Sequence, residues 1–195
     1  MTPVLLIRHG ATAWNAAGRM QGRADIGLSA AGRAEVARWR LPPGWDGARW
    51  LVSPLCRARE TAALLGAPAA RVEPRLIEMD WGAWEGRTAA ELRADAAAGL
   101  ATEEARGLDL RPPGGESPRE VQARLGALAA ELALDPTPVV AVCHKGVIRA
   151  ALALATGWDL RTRPPVRLRR DEALALLCSA DGRLQLAPPP LPLVA

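Results

Sequence analysis

Short apolar runs alternate along this chain with longer stretches whose apolar residues recur at helical spacing. Val4-Leu5-Leu6-Ile7 places four branched apolar residues in a row without a 3.6-residue period. That is the pattern of a strand buried on both faces of a parallel sheet. Arg49-Trp50-Leu51-Val52 and Val139-Val140-Ala141-Val142-Cys143 read the same way, and Arg71-Val72-Glu73 reads as a shorter strand. Between them, Ser29 caps a helix reaching about Arg40, where Pro42-Pro43-Gly44 ends it. Ser53-Pro54 predicts another helix start, with Ser53 as N-cap and Pro54 at the first helical position. The alanine-rich stretch from Thr88 to about Arg106 favours helix with a break near Gly99. The clearest helix follows Ser117-Pro118-Arg119-Glu120, a capping box, with Val121, Leu125, Leu128 and Leu132 as its apolar stripe. Residues from Gly146 to about Thr156 form the next helix. Ala173 to Cys178 and an Asp181-Gly182 hairpin turn predict further strands at the sheet edge. Pro188-Pro189-Pro190-Leu191-Pro192 reads as an extended, loosely packed tail beginning near residue 187.

The first and third runs each deliver a histidine, and His9 and His144 are the only two in the chain. In an open α/β sheet the ligand crevice lies outside the carboxyl ends of the strands, so two strand-end histidines can share one site. Alone, either would read as a satisfied core residue. Arg8, His9 and Gly10 arriving together change that. Arginine matches phosphate oxygens with a planar fork, neutral imidazole is a nucleophile toward phosphorus, and glycine lets backbone approach a ligand.

Other residues fall where they can serve the same group. Asn15, in a Gly-punctuated stretch, can donate its amide to a phosphate oxygen. Gln21 and Gly22 can present side chain and backbone to a substrate, and ordinary turn chemistry fits them equally well. Arg57, early in the helix after Ser53, faces back to the crevice, or alternatively pairs with Glu60 or Asp80 as a surface residue. Glu78 follows two apolar residues and precedes an aromatic stretch. Desolvation there would raise its pKa and suit a general acid. Asp80 and Glu85 remain rivals by spacing. Trp81 and Trp84 are packing residues or pocket walls. The run His144, Lys145, Gly146 before a helix makes an anion cradle.

Composition narrows the setting. At 195 residues the chain is long enough for one α/β domain, residues 1–195, burying roughly 70% of its unfolded surface. Its formal charge of +4 comes almost wholly from arginine, since Lys145 is the only lysine. The cluster from Arg161 to Arg170 lacks interleaved aromatics for base stacking and alternates like a solvated edge strand, so no nucleic-acid partner is expected. No apolar run is long enough to span a membrane, and none reads as a signal-peptide core. Three cysteines without metal-ligand spacing predict reduced thiols, a cytoplasmic location and no metal.

Taken in order, Leu6-Ile7-Arg8-His9-Gly10, Ser53-Pro54-Leu55-Cys56-Arg57-Ala58-Arg59-Glu60-Thr61, Glu78 ahead of Trp81-Gly82 and Trp84-Glu85-Gly86, Gly115-Glu116-Ser117 and Val142-Cys143-His144-Lys145-Gly146-Val147-Ile148-Arg149 resemble the histidine phosphatase superfamily, also called phosphoglycerate mutase-like. The resemblance spans residues 6 to about 149. It implies a three-layer α/β/α sandwich with a mostly parallel sheet. It implies further a phosphohistidine on His9, phosphoryl binding by Arg8, Arg57, His144 and Asn15, and proton donation by Glu78; the expected substrate contacts at Gln21, Gly22 and Trp81 come from the reading of those residues themselves. No cofactor is implied. Lys145 departs from the small residue of many relatives, and Gly27 from a common proline. The stretch between Glu78 and His144 is too short for the extra segment of glycolytic mutases. The expected activity is therefore metal-independent hydrolysis of a small-molecule phosphate ester. The alternatives are a mutase-type phosphotransferase or a non-enzymatic phosphoryl-binding module.

Overall fold

A computed structural model describes residues 1–187 and 190–193. In chain order the elements are β1 (Thr2–Arg8), α1 (Ala13–Ala16), α2 (Ala30–Val36), β2 (Arg49–Val52), α3 (Cys56–Leu64), β3 (Arg71–Val72), α4 (Ala89–Ala94), α5 (Leu100–Glu104), α6 (Pro118–Leu132), β4 (Val139–Cys143), α7 (Lys145–Thr156), β5 (Glu172–Cys178), β6 (Leu184–Leu186) and β7 (Leu191–Pro192). The sheet order is β3-β2-β4-β1-β5-β6, with β7 also paired to β5. The strands β3, β2, β4 and β1 run parallel, and β5 to β7 add an antiparallel half.

Side chains alternate across a strand, so each central run feeds two cores. Val4, Leu6, Leu51 and Ala141 pack with Val121, Leu125 and Leu128 of α6 and Val147 of α7. Leu5, Ile7, Val140 and Val142 face the other way, onto Val36 of α2 and Ala58 and Ala62 of α3. The result is the expected α/β/α layering. A smaller cluster of Trp84, Leu92, Ala98 and Leu100 seats α4 and α5 beside it.

The best-signalled helix, α6, has its full capping box: Ser117 Oγ accepts from Glu120 N–H, and the Glu120 carboxylate accepts from Ser117 N–H. Other boundaries moved. The helix after Ser29 ends at Val36, short of Arg40, because the chain turns there to bury Trp39. Ser53 is no N-cap, and Pro54 is not in the first turn: α3 starts at Cys56 behind Leu55, and the serine hydroxyl is used elsewhere. The helix before Gly157 begins at Lys145 with His144 in the cap position, not at Gly146. Between Thr88 and Arg106 the break starts earlier than Gly99. Asp95 takes the N–H of Ala97, and Gly99 then adopts φ 62°, where a Cβ would be strained.

Three C-terminal expectations change. The stretch from Arg161 to Arg170 forms no strand and runs as irregular chain over the carboxyl end of the sheet. The run ending at Cys178 is not an edge: β5 lies between β1 and β6, and β6 is the edge across the Asp181-Gly182 turn. The tail is not loose where it is described. Leu191–Pro192 pairs with β5, Leu193 is fully buried, and its N–H donates to the Asp171 carbonyl at 2.8 Å. Pro188 and Pro189 lie outside the described residues. No helix among the described residues is long and apolar enough to cross a membrane.

Candidate active site

Strand register brings the two histidines together. Arg8 of β1 pairs with Cys143 of β4, so the next residue on each strand emerges at the same level. His9 N–H donates to the Cys143 carbonyl at 3.0 Å, and the two imidazole centroids stand 5.2 Å apart, tilted by 54°. On the other side of β4, Val52 pairs with Val142, which brings Ser53 to the same end. Its hydroxyl meets His144 Nε2 at 2.7 Å.

The bonds define the protonation of His9. Its Nδ1 lies 2.7 Å from the Gly10 carbonyl, which can only accept, so Nδ1 carries the proton and Nε2 keeps its lone pair. Burial, with Arg57 and Arg8 alongside, holds the His9 pKa well below 6.5, so the ring is neutral at neutral pH. His144 is completely buried and is neutral for the same first reason. The Ser53 hydroxyl occupies His144 Nε2, and Nδ1 is a buried atom with no partner among the described residues.

Unpaired polar atoms converge here. Of seven buried side-chain nitrogens and oxygens without a partner among the described residues, four belong to Arg8, Arg57, His144 and Gln21. Burial, and next to it Arg170, lowers the Arg8 pKa to about 10, far too high for it to lose its charge at neutral pH. Arg57 is fully buried. Its two terminal nitrogens donate to the carbonyls of Gly22 and Ala24, at 2.7 Å each, while Nε stays free. The surface alternative for Arg57 does not hold, since Glu60 pairs with Arg33 and Asp80 with Arg23. Guanidiniums held in a cleft without a paired carboxylate among the described residues are a cradle for a polyanion.

Among the three candidate acids, Glu78 is the buried one, at 7% exposure, and desolvation raises its pKa above 4.5. Its carboxylate accepts from Met79 N–H at 2.8 Å and Gly146 N–H at 3.2 Å. The rivals are loop staples. Glu85 accepts from the N–H groups of Arg23 and Ala24, and Asp80 accepts from Gly82 N–H and pairs with Arg23 at 3.3 Å.

Arg8, His9, Asn15, Gln21, Gly22, Arg57, Glu78 and Trp81 all line one cleft of about 660 Å³; His144 lies beneath it, behind His9. Asn15 completes a capping box with Thr12, whose N–H donates to Asn15 Oδ1 at 3.2 Å, leaving the amide NH₂ without a partner among the described residues. Gln21 Nε2 donates to Thr12 Oγ1. Gly22 adopts φ 51° against the Glu85 carboxylate, so its glycine serves that close approach. Trp81 forms cleft wall, stacked on the buried Trp84 at 6.1 Å. Two glycine expectations are corrected. Gly10 admits α2 and not a ligand, because a Cβ there would stand 2.5 Å from Val36. The Gly146 N–H serves Glu78 and not a free anion, and a Cβ on Gly146 would meet Glu78 Oε1 at 2.4 Å.

A family profile described as histidine phosphatase superfamily (branch 1) matches residues 4–187. The chain belongs to that family. Among curated relatives, the glucosyl-3-phosphoglycerate phosphatase of Mycobacterium tuberculosis is 39% identical over 165 residues, covering 77% of this chain and 73% of its own. That of Mycolicibacterium vanbaalenii is 36% identical over 181 residues, covering 83% and 77%. A mycobacterial glucosyl-3-phosphoglycerate phosphatase solved with inorganic phosphate superposes with a TM-score of 0.80 at 29% identity, over 98% of each chain. This histidine phosphatase is thus a hydrolase of phosphate esters.

Within this histidine phosphatase three contacts escaped sequence reasoning. Ser53 orients His144, although its Ser-Pro context signals only a helix cap. Gly146 makes room for Glu78 from 68 residues away. Arg170 reaches the His9 carbonyl at 3.5 Å and Asn15 Oδ1 at 3.3 Å from an arginine-rich stretch that reads as solvated rim.

Proposed function

We propose that this phosphatase works by double displacement at His9 on a small phosphorylated metabolite, without a metal. The carrying observation is the His9 ring: neutral, with Nδ1–H fixed on the Gly10 carbonyl, Nε2 unprotonated, and the Arg57 and Arg8 charges near enough to disfavour its protonation. In the first step Nε2 attacks phosphorus. The N–P bond forms as the ester P–O bond breaks, and Glu78 gives its proton to the departing oxygen. In the second step the Glu78 carboxylate takes a proton from water, whose oxygen attacks phosphorus. The N–P bond breaks and inorganic phosphate leaves. Arg8 and Arg57 offset the charge on the transferring group in both steps, the part a metal plays in other phosphatases, with His144 and Asn15 as further donors. Splitting one difficult displacement in two lowers each barrier.

A cleft of this size suits a small molecule, with Gln21, Gly22 and Trp81 on the leaving-group side. The relatives are named for glucosyl-3-phosphoglycerate, which makes a phosphorylated sugar acid the first compound to assay. The free thiols Cys56, Cys143 and Cys178 favour work in the reducing cytoplasm.

Partitioning tests the mechanism. In chelator, with methanol competing against water, a common phosphoenzyme gives one ratio of methyl phosphate to inorganic phosphate for every leaving group. Ratios that vary with the leaving group, or turnover that needs added metal, would contradict it.

A further inference from the structure

The cleft carries more positive charge than one phosphoryl group uses. Besides Arg8 and Arg57 it is lined by Arg19, Lys145, Arg149 and Arg161, against only two carboxylates, Glu78 and Glu104. Glu104 is already paired with Arg93 at 3.3 Å, and Arg19 lies 3.8 Å from Glu91. Lys145, Arg149 and Arg161 make no side-chain hydrogen bond or ion pair among the described residues; Arg149 instead lies over the Trp158 ring at 5.0 Å.

Placement of these three is specific. Lys145 and Arg149 are one turn apart on α7 and so share a face of that helix, beside the histidine-bearing strand end. Both also line a second cavity of about 290 Å³ that borders the first. Arg161 lines the same cleft from the segment after α7, its stem laid against Gly107, where a Cβ would stand 2.9 Å from Arg161 Cγ. Lys145 is the only lysine among 25 basic residues, set directly after His144. Desolvation, Arg8 and Arg149 disfavour its charge there more than the Glu78 carboxylate favours it, so an arriving anion would relieve the position.

We propose that Lys145, with Arg149 and Arg161, recognises a second anionic group on the substrate, a carboxylate or a further phosphate, so that the preferred esters carry two acids. This deepens the reading of the cleft as a phosphomonoesterase site and rests on it. Lys145 acts as a specificity residue, binding the part of the substrate that does not react. Its ammonium presents three N–H donors to that group, and charge-assisted bonds of this kind discriminate by about 10- to 100-fold.

The test compares kcat/KM for glycerol 3-phosphate, 3-phosphoglycerate and glycerol 1,3-bisphosphate. The wild type should favour one or both diacids over glycerol 3-phosphate by tenfold or more. Whichever diacid leads identifies the second group as carboxylate or phosphate. In Lys145→Gln the ratio of diacid to monoacid should fall at least fivefold, mostly through KM, and Lys145→Arg should restore most of it. Arg161→Gln should lower the same ratio. Turnover of all three esters without preference would overturn this assignment alone. So would a Lys145→Gln variant, folded by its thermal melt, that slows all three in equal proportion. No turnover of any ester by the wild type would overturn the phosphatase reading as well.

Discussion

The floor and the wall of the cleft are built by different means. The floor consists of Arg8, His9, Ser53, Arg57 and His144, set by the register of three adjacent parallel strands and the helix that follows one of them. His9, Ser53, Arg57 and His144 are fixed by short bonds to backbone or to each other, Arg8 by its strand alone, and Arg57 and His144 are fully buried. The wall comes from loops around Gln21, Trp81, Gly107 and Arg161. It is held by ion pairs such as those of Arg23 with Asp80 and Glu116, which are half exposed and individually worth about 0–1 kcal/mol. A floor of this kind can hold one reacting geometry, and a wall of this kind can differ among relatives without disturbing it. Substitutions in the floor should therefore change the chemistry for every substrate, and those in the wall should change the choice among substrates.

The sharpest way to break that contrast is His9→Gln. It should lower kcat/KM by roughly 10⁴-fold or more for every ester, measured by phosphate release. A variant that lost activity on some esters only would move His9 from floor to wall.

Glu78→Gln comes next, and its effect should depend on the leaving group. Alkyl phosphates, whose alkoxide needs a proton, should slow by about 10²- to 10⁴-fold, and 4-nitrophenyl phosphate much less. Since the proposed double displacement needs His9 neutral and Glu78 protonated in the free enzyme, kcat/KM should rise through a pKa below 6.5 and fall through one above 4.5. The variant should lose the alkaline limb alone. The same shift has a stability sign. Above pH 4.5 the unfolded chain releases this proton before the folded one does, so the native state binds more protons and its stability falls as pH rises. Melting curves should show Glu78→Gln gaining on the wild type as pH rises above 4.5, until the folded carboxyl has lost its proton.

Ser53→Ala probes a buried floor residue that does not line the cleft. Losing the His144 Nε2 partner should cost about tenfold in kcat across all esters and about 1 kcal/mol of stability. Trp81→Ala should have the smallest effect, a several-fold change in KM that differs from ester to ester, because the ring forms wall and its neighbour Trp84 supplies the buried packing.

How much could be read in advance divides along the same line. His9 and His144 were legible because each ends an apolar run with no helical period, and strand ends meet at a sheet's carboxyl edge. Their sharing one level depends on the Arg8–Cys143 register, which no local pattern carries. Arg57 was legible by its early helix position, although its two carbonyl partners belong to a loop 33 and 35 residues away. Ser53 was misread because a Ser-Pro pair before a helix signals a cap, and the tertiary bond to His144 outcompetes it. Gly10 and Gly146 were recognised as special, but only the packing of Val36 and Glu78 against them shows what each makes room for. Arg170 and the buried Leu193 were missed for a shared reason: arginine- and proline-rich stretches have no period, so only long-range contact fixes them.

Trapping the covalent intermediate tests the central claim most directly. Wild-type protein mixed with a slow phosphate ester, quenched in alkali and digested, should show one added phosphoryl group by mass spectrometry on the peptide containing His9, labile to acid and absent from His9→Gln. A phosphoryl group on His144, or steady turnover with no such adduct at His9, would contradict the account.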